Sequence, residues 1–171
     1  MISIAIPDSM FLDDDSLREK TVKVGEIARS AAIFGVERIY IYRDGLRNYD
    51  TDYETAKMIF QYAETPQYLR RSLLGKRKQL EFVGLLAPLR TPHHLKEAQP
   101  KIDEIRDAVI FMQNGELVAD IGAKEFAKYE SRGQEGQRVT IRVRSLTPLS
   151  VELAQKPEGT YWGYEVRRAP S

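Results

Sequence analysis

The stretch Leu85-Leu86-Ala87-Pro88-Leu89-Arg90-Thr91-Pro92-His93-His94 sets a guanidinium, a hydroxyl and two imidazoles beside two prolines. Each proline fixes its φ angle and removes a backbone donor, so these groups sit on a stiff loop. The loop continues the apolar run Leu80 to Leu86, which reads as a buried strand. Open α/β sheets present ligand sites at the carboxyl ends of such strands, and the loop is therefore the first place to look for binding chemistry. His93 and His94 are neighbours whose rings should point to opposite sides of an extended chain, and no carboxylate or imidazole completes a metal set at helical spacing, so a zinc site is not expected. The chain has no cysteine and no serine in a nucleophile elbow, which removes hydrolase and protease readings.

A second constellation lies on Arg138 to Arg144. Val139, Ile141 and Val143 alternate with Arg138, Thr140, Arg142 and Arg144, the period of a strand with one packed face and one cationic face. Guanidiniums in such a row can follow a phosphate backbone and give salt-dependent binding. The same pattern also describes a solvated strand with cross-strand ion pairs. Further cations lie on a helix face (Arg18, Lys20, Lys23 and Arg29) and on a basic turn (Lys76, Arg77 and Lys78), where solvated charge is the plainer reading. Tyr161, Trp162 and Tyr164 suit either base stacking or a core, with Trp162 assigned to the core. Asp13-Asp14-Asp15 reads as an acidic run at a helix N-terminus, favoured there by the helix dipole, and not as a cation site.

The elements that carry these residues follow from spacing. Ile2 to Ile6 is a short strand closed by Pro7; Ser16 and Glu19 form a capping box that opens a helix with Leu17, Val24, Ala28, Ala31 and Ala32 near one face; Gly35 stops it. Val36 to Tyr42 is the second strand, and strand, helix, strand implies a right-handed crossover in a parallel sheet. Tyr53 to Leu74 is helical with a break at Pro66, and Leu80 to Leu86 is the third strand. No glycine-rich phosphate turn is present, which argues against a dinucleotide fold or a nucleotide triphosphatase.

The texture changes after Pro100. Val109 to Met112 and Leu117 to Ile121 flank Asn114-Gly115, a strong hairpin signal. Lys124 to Tyr129 reads as a short helix or irregular, and Arg138 to Arg144, Val151 to Leu153 and Tyr161 to Val166 as strands. Short strands so closely spaced suggest a small barrel similar to an OB-fold.

At 171 residues the chain can bury a sizeable core. Its net charge of +1 does not by itself announce nucleic acid, so the argument rests on local clusters. Neither a bilayer-spanning run nor a signal-type N-terminus is present, and the expectation is no membrane partner and a cytoplasmic location.

Ile2 to Pro7, Leu17 to Phe34, the segment Glu64-Thr65-Pro66-Gln67-Tyr68-Leu69-Arg70-Arg71 and the proline-bounded loop together resemble the archaeal and eukaryotic RNA methyltransferases of the SPOUT superfamily in which a small β-barrel interrupts the methyltransferase domain. Tyr161 to Arg168 resembles the return into that domain. The resemblance implies an α/β class with a SPOUT-like (Rossmann-like) parallel-sheet domain at residues 1–95, an inserted OB-like barrel at 96–159 and a return strand at 160–171. It implies S-adenosylmethionine as cofactor, with Leu86, Pro88, Leu89, Arg90 and Thr91 as a wall of its pocket and Arg90 near the target nucleotide. It also implies RNA as partner, ribosomal or transfer, with Arg138, Arg142, Arg144, Arg18, Lys23, Lys76, Arg77, Lys78 and Arg90 as contacts, and a homodimer. Enzymes of that superfamily bind the cofactor largely through a C-terminal knot not found before Ser171. The expectation is a fragment or short form that binds the cofactor weakly, or a non-catalytic RNA-binding component of the ribosome; the catalytic base is not assigned.

Overall fold

The computed structural model describes residues 2–46, 50–95 and 99–169. They divide into two compact units, Met1–Thr65 with Lys76–Thr91 and Tyr161–Ser171, and Pro66–Gly75 with Pro92–Thr160. The barrel boundary expected at Lys96 lies outside the described residues.

In the first unit, strand β1 (Ile2–Pro7) leads through helix α1 (Leu17–Ile33) to β2 (Val36–Tyr42), which pairs with β1 in parallel as the crossover requires. The capping box forms at the start of α1: Ser16 Oγ accepts from the Glu19 N–H at 3.2 Å, and Glu19 Oε2 accepts from the Ser16 N–H at 3.0 Å. Val24, Ala28 and Ala31 make up the buried stripe, joined by Thr21, whose hydroxyl donates to the Leu17 carbonyl. Gly35 follows in the left-handed region at φ 65°, where a glycine meets no Cβ penalty. Helix α2 (Asp50–Glu64) stops ahead of Pro66 and packs Ala56, Ile59, Phe60 and Ala63 into the same core as Ile39 and Ile41.

The third strand expected at Leu80 to Leu86 does not form. Two 3-10 turns, Lys78–Leu80 and Val83–Leu85, stand there instead. Gly84 sits inside the run, Leu85 is exposed, and the place beside β2 is occupied by β8 (Glu165–Arg168), giving the order β1-β2-β8. Leu86, at the end of the run, packs on a helix instead: it lies so close to α1 that a Cβ on Gly25 would fall 2.3 Å from its Cδ2. Tyr161 to Tyr164 is not strand either. Gly163 takes a positive φ of 81°, and the Tyr161 and Tyr164 hydroxyls donate to the Val36 and Phe60 carbonyls at 2.8 and 2.9 Å.

The second unit is a closed five-stranded barrel with the order β3-β4-β5-β7-β6, in which β6 closes onto β3. Its strands are β3 (Ile105–Gln113), β4 (Glu116–Asp120), β5 (Ala127–Tyr129), β6 (Arg138–Leu146) and β7 (Leu149–Leu153). All neighbours are antiparallel except β5 and β7, which run parallel because β6 returns on the far side of β7. The β3–β4 hairpin turns on Asn114 and Gly115 at φ 52° and 83°, both positive as a type I′ turn demands. Residues 127–129 are strand, contrary to the helical or irregular expectation: Ala127 and Tyr129 face inward, and edge pairing to β4 and β7 fixes the extended form. Inward residues alternate small with branched, Ala108, Ala119 and Ala127 against Ile110, Ile121, Ile141 and Val143, which lets so narrow a barrel fill itself. A short helix, α3 (Arg70–Leu74), belongs to this unit, where Ser72 donates to Asp120 and Tyr68 to the Asp107 carbonyl.

Candidate functional site

The proline-bounded loop is built from its own unit's core. Leu89 is buried in the α1–α2 core, Leu86 is half-buried against it, and Pro88 and Arg90 are exposed. Thr91 is buried, and its Oγ1 has no hydrogen-bond partner among the described residues. A buried hydroxyl without a partner loses hydration of order 1–3 kcal/mol. The loop thus offers apolar contact, one orphaned hydroxyl and one exposed guanidinium in succession. The expectation that His93 and His94 face opposite ways fails: their rings meet edge to face with centroids 4.5 Å apart, since the chain turns there and is not extended. Among the described residues no group of three or more potential ligands is placed to hold a metal ion.

The arginine strand separates into members of different kinds. Val139, Ile141 and Val143 face the barrel interior as the alternation required. Arg138, however, is not an open cation. Its Nη2 donates to Asp107 Oδ2 at 2.6 Å and its Nε to the same oxygen at 3.2 Å, while Thr140 donates to Oδ1 at 3.2 Å. Asp107 is buried and needs these donors, and residues 66–75 lie over the same patch through Tyr68. Burial, with the Asp107 charge adding to it, raises the Tyr68 phenol well above its ordinary range.

Arg142 is exposed, with no ion pair among the described residues even though Glu152 stands opposite it. Arg144 lies between Asp103 at 3.8 Å and Glu152 at 3.5 Å, open to solvent on both sides. Arg142 also borders a groove of about 480 Å³ shared with Ile105, Glu152, Leu153 and Lys156. Of the three arginines, Arg142 and Arg144 are exposed, and Arg138 is the one tied to a buried carboxylate.

On the first unit, Lys23 is taken up by Asp14 and by the Met10 carbonyl at 3.0 Å, and Lys20 by Asp52 at 2.6 Å. Arg18, Lys76, Arg77 and Lys78 are exposed. Two of the three aromatics are core residues and not stacking surfaces: Trp162 is buried, as assigned, and Tyr164 lies in the core edge-on to Phe60 at 6.1 Å, while Tyr161 is half-buried. Burial holds the Tyr161 and Tyr164 phenols above their ordinary range, the latter most strongly. No helix among the described residues is long and apolar enough to cross a membrane.

Residues 1–171 match the family described as "Putative RNA methyltransferase". The chain is 31% identical over 202 residues to a 28S rRNA (uridine-N(3))-methyltransferase of Drosophila melanogaster, covering 99% of this chain and 41% of that protein. It is 31% identical over 196 residues to the protein of the same name from Homo sapiens, covering 98% and 51%. An uncharacterized protein of Haloarcula marismortui is 29% identical over 163 residues, covering 91% and 57%. The chain spans about half the length of the curated relatives it matches. With its whole length matched, this chain belongs to that family of RNA methyltransferases.

Proposed function

We propose that this protein acts in S-adenosylmethionine-dependent methylation of ribosomal RNA, with a SPOUT-class α/β unit and an OB-like barrel, inserted at about residues 96–159, that holds the RNA. The observation that carries the reading is the family match over the entire chain. The barrel's strand order, in which the first strand pairs with the fourth and the third runs parallel to the fifth, supports the OB-like part. Uridine N3 is the proposed target because the Drosophila and human relatives are named for it.

Residues 86–91 suit a small amphipathic cofactor, since they carry the buried Thr91 hydroxyl, without a partner among the described residues, together with the apolar Leu86 and Leu89. S-adenosylmethionine supplies, when bound, a methyl group made electrophilic by its sulfonium. Leu86, Pro88 and Leu89 would keep water from its apolar parts, and Thr91 Oγ1 would exchange a hydrogen bond with a polar edge. Methylation at a uridine imide requires its N–H to lose a proton, after which negative charge spreads onto the flanking carbonyl oxygens. Arg90, exposed on the same loop, is the cation proposed to stabilise that charge or the adjoining phosphate. Arg142, Arg144, Arg18, Lys76, Arg77 and Lys78 are proposed RNA contacts, and pairing of two copies completes the proposal.

The test is transfer of labelled methyl from S-adenosylmethionine to isolated ribosomal RNA, followed by nucleoside analysis for 3-methyluridine, with transfer RNA as the competing substrate. Labelled 3-methyluridine in ribosomal RNA supports the reading. RNA binding with no transfer favours the non-catalytic RNA-binding role, and label confined to transfer RNA refutes the assigned substrate.

A further inference from the structure

Resting on the proposed RNA-binding role of the barrel, we infer a second contact surface distinct from the arginine strand: an aromatic platform of Phe126 and Phe111, with Lys128, that takes unpaired RNA bases. The register places these residues together. Phe111 on β3 is the direct partner of Val118 on β4, and Val118 is the direct partner of Lys128 on β5, so the three share the outer face of the barrel. Phe126 precedes β5 by one residue and sits against Phe111 edge to face, with ring centroids 4.5 Å apart.

Phe126 is 48% exposed, in contrast to Tyr161, Trp162 and Tyr164, and the half-buried Phe111 props its ring in place. A large aromatic held rigidly in water has paid its ordering entropy in advance, which favours a flat apolar partner. Lys128 is exposed, and no ion pair engages it among the described residues. Glu130 is exposed two residues further on, so the cation is local to the aromatic end of β5.

The placement is also chosen by what is covered. Residues 66–75 lie on the same outer face at Asp107 and Asp120, through Tyr68 and Ser72; the β4–β5 register brings Phe126 next to Asp120, at the margin of that cover, and its ring stays exposed there. In five-stranded barrels of this strand order, nucleic acid runs over the second and third strands and the loop joining the first two. Those elements are here β4, β5 and the Asn114-Gly115 turn. Aromatic rings on such a face stack bases whatever their identity, and a lysine beside them meets the backbone phosphate; a folded protein partner would not require the cation to stand unpaired at that point.

The experiment measures binding of the full chain to a fluorescein-labelled single-stranded octauridylate and to an RNA duplex by anisotropy across a salt series. Phe126→Leu is expected to weaken octauridylate binding by about 5- to 100-fold, Phe126→Tyr to restore it, and duplex binding to stay unchanged. Lys128→Gln is expected to reduce the log-log salt slope for octauridylate by about 0.7. Octauridylate binding that is indifferent to Phe126→Leu overturns the platform and leaves the barrel's RNA role standing. Failure of the unsubstituted chain to bind either RNA overturns both. A change in sedimentation of the protein on Phe126→Leu, with RNA affinity untouched, also overturns the platform and makes the face a contact between copies. Should Phe126→Leu not fold, Lys128→Gln decides: an unchanged slope overturns the inference.

Discussion

Replacing Arg138 by Gln should damage the barrel, while the same change at Arg142 should not. The three arginines at 138, 142 and 144 share one face by sequence, but only Arg138 closes on a buried carboxylate, at 2.6 Å, with its own side chain 27% exposed. Removing one partner of a fully buried pair costs about 3–5 kcal/mol because the other charge is left stranded. Partial exposure of Arg138 and the remaining bond from Thr140 reduce that here, to about 2–3 kcal/mol. Arg142→Gln, at an exposed position without an ion pair, belongs with surface changes within about ±0.5 kcal/mol. Urea unfolding followed by circular dichroism reads the difference, and an Asp107→Asn, Arg138→Gln double variant should recover part of the loss, since no bare charge remains. RNA binding supplies the second arm: Arg142→Gln with Arg144→Gln should flatten the salt slope by about 1.4 for single strands, with no further flattening from position 138. If Arg138→Gln proves as silent in urea as Arg142→Gln, the Asp107 pair is not holding β3 to β6 and this reasoning fails.

Thr91→Val should keep or raise stability, by up to about 1–2 kcal/mol, because it removes a buried hydroxyl that has no partner among the described residues, and should lower affinity for S-adenosylmethionine in calorimetry; unchanged affinity would remove Thr91 from the proposed pocket. Gly122→Ala should destabilise the barrel by more than about 1 kcal/mol in urea, since Gly122 holds a φ of 75° and an added Cβ would meet Tyr68 Cγ at 2.6 Å. Ser16→Ala should cost about 1 kcal/mol of stability through loss of the capping box, with no effect on RNA binding. Tyr68, Tyr161 and Tyr164 have phenols raised above their unfolded value of 10.0, so the stability they contribute is complete below about pH 10 and is lost as pH climbs through their folded values. Ultraviolet titration should show them ionising late, together with alkaline unfolding, and a single transition of every tyrosine near pH 10 in a folded protein would contradict this.

How much the sequence discloses depends on whether the deciding contact is local. The capping box of α1 is legible because Ser16 and Glu19 are one helical turn apart and satisfy each other's backbone donors. The Asn114-Gly115 hairpin is legible because Asn and Gly are among the few residues that accept positive φ angles with little strain. Leu80 to Leu86 misleads for the opposite reason. An apolar run of that length suits a buried strand or a packed turn equally, and what decides is β8, some eighty residues later, which occupies the neighbouring place in the sheet. Residues 127–129 were hidden likewise, since three residues carry little periodicity and become strand through partners on β4 and β7.

The same distinction governs the candidate RNA surface. Alternation from Arg138 to Arg144 tells which face a side chain takes, and the structure keeps that face. It does not tell what lies across the ladder. Thr140 pairs with Asp107 on β3, which brings that carboxylate diagonally beside Arg138, and residues 66–75 then cover the patch. A stripe that is uniform in sequence is thereby divided into a structural member and two solvent-facing ones. Phe126 shows the converse: it lies outside any periodic run, so its sequence context gives no reason to single it out. Only the pairing of Phe111 with Val118 and of Val118 with Lys128 brings an exposed ring and an open cation onto one face. Sequence charge counts alone thus give no distinction between the ion-paired Arg138 and the exposed Arg142 and Arg144, and no sign of the Phe126 ring against Phe111; contacts made between strands set both.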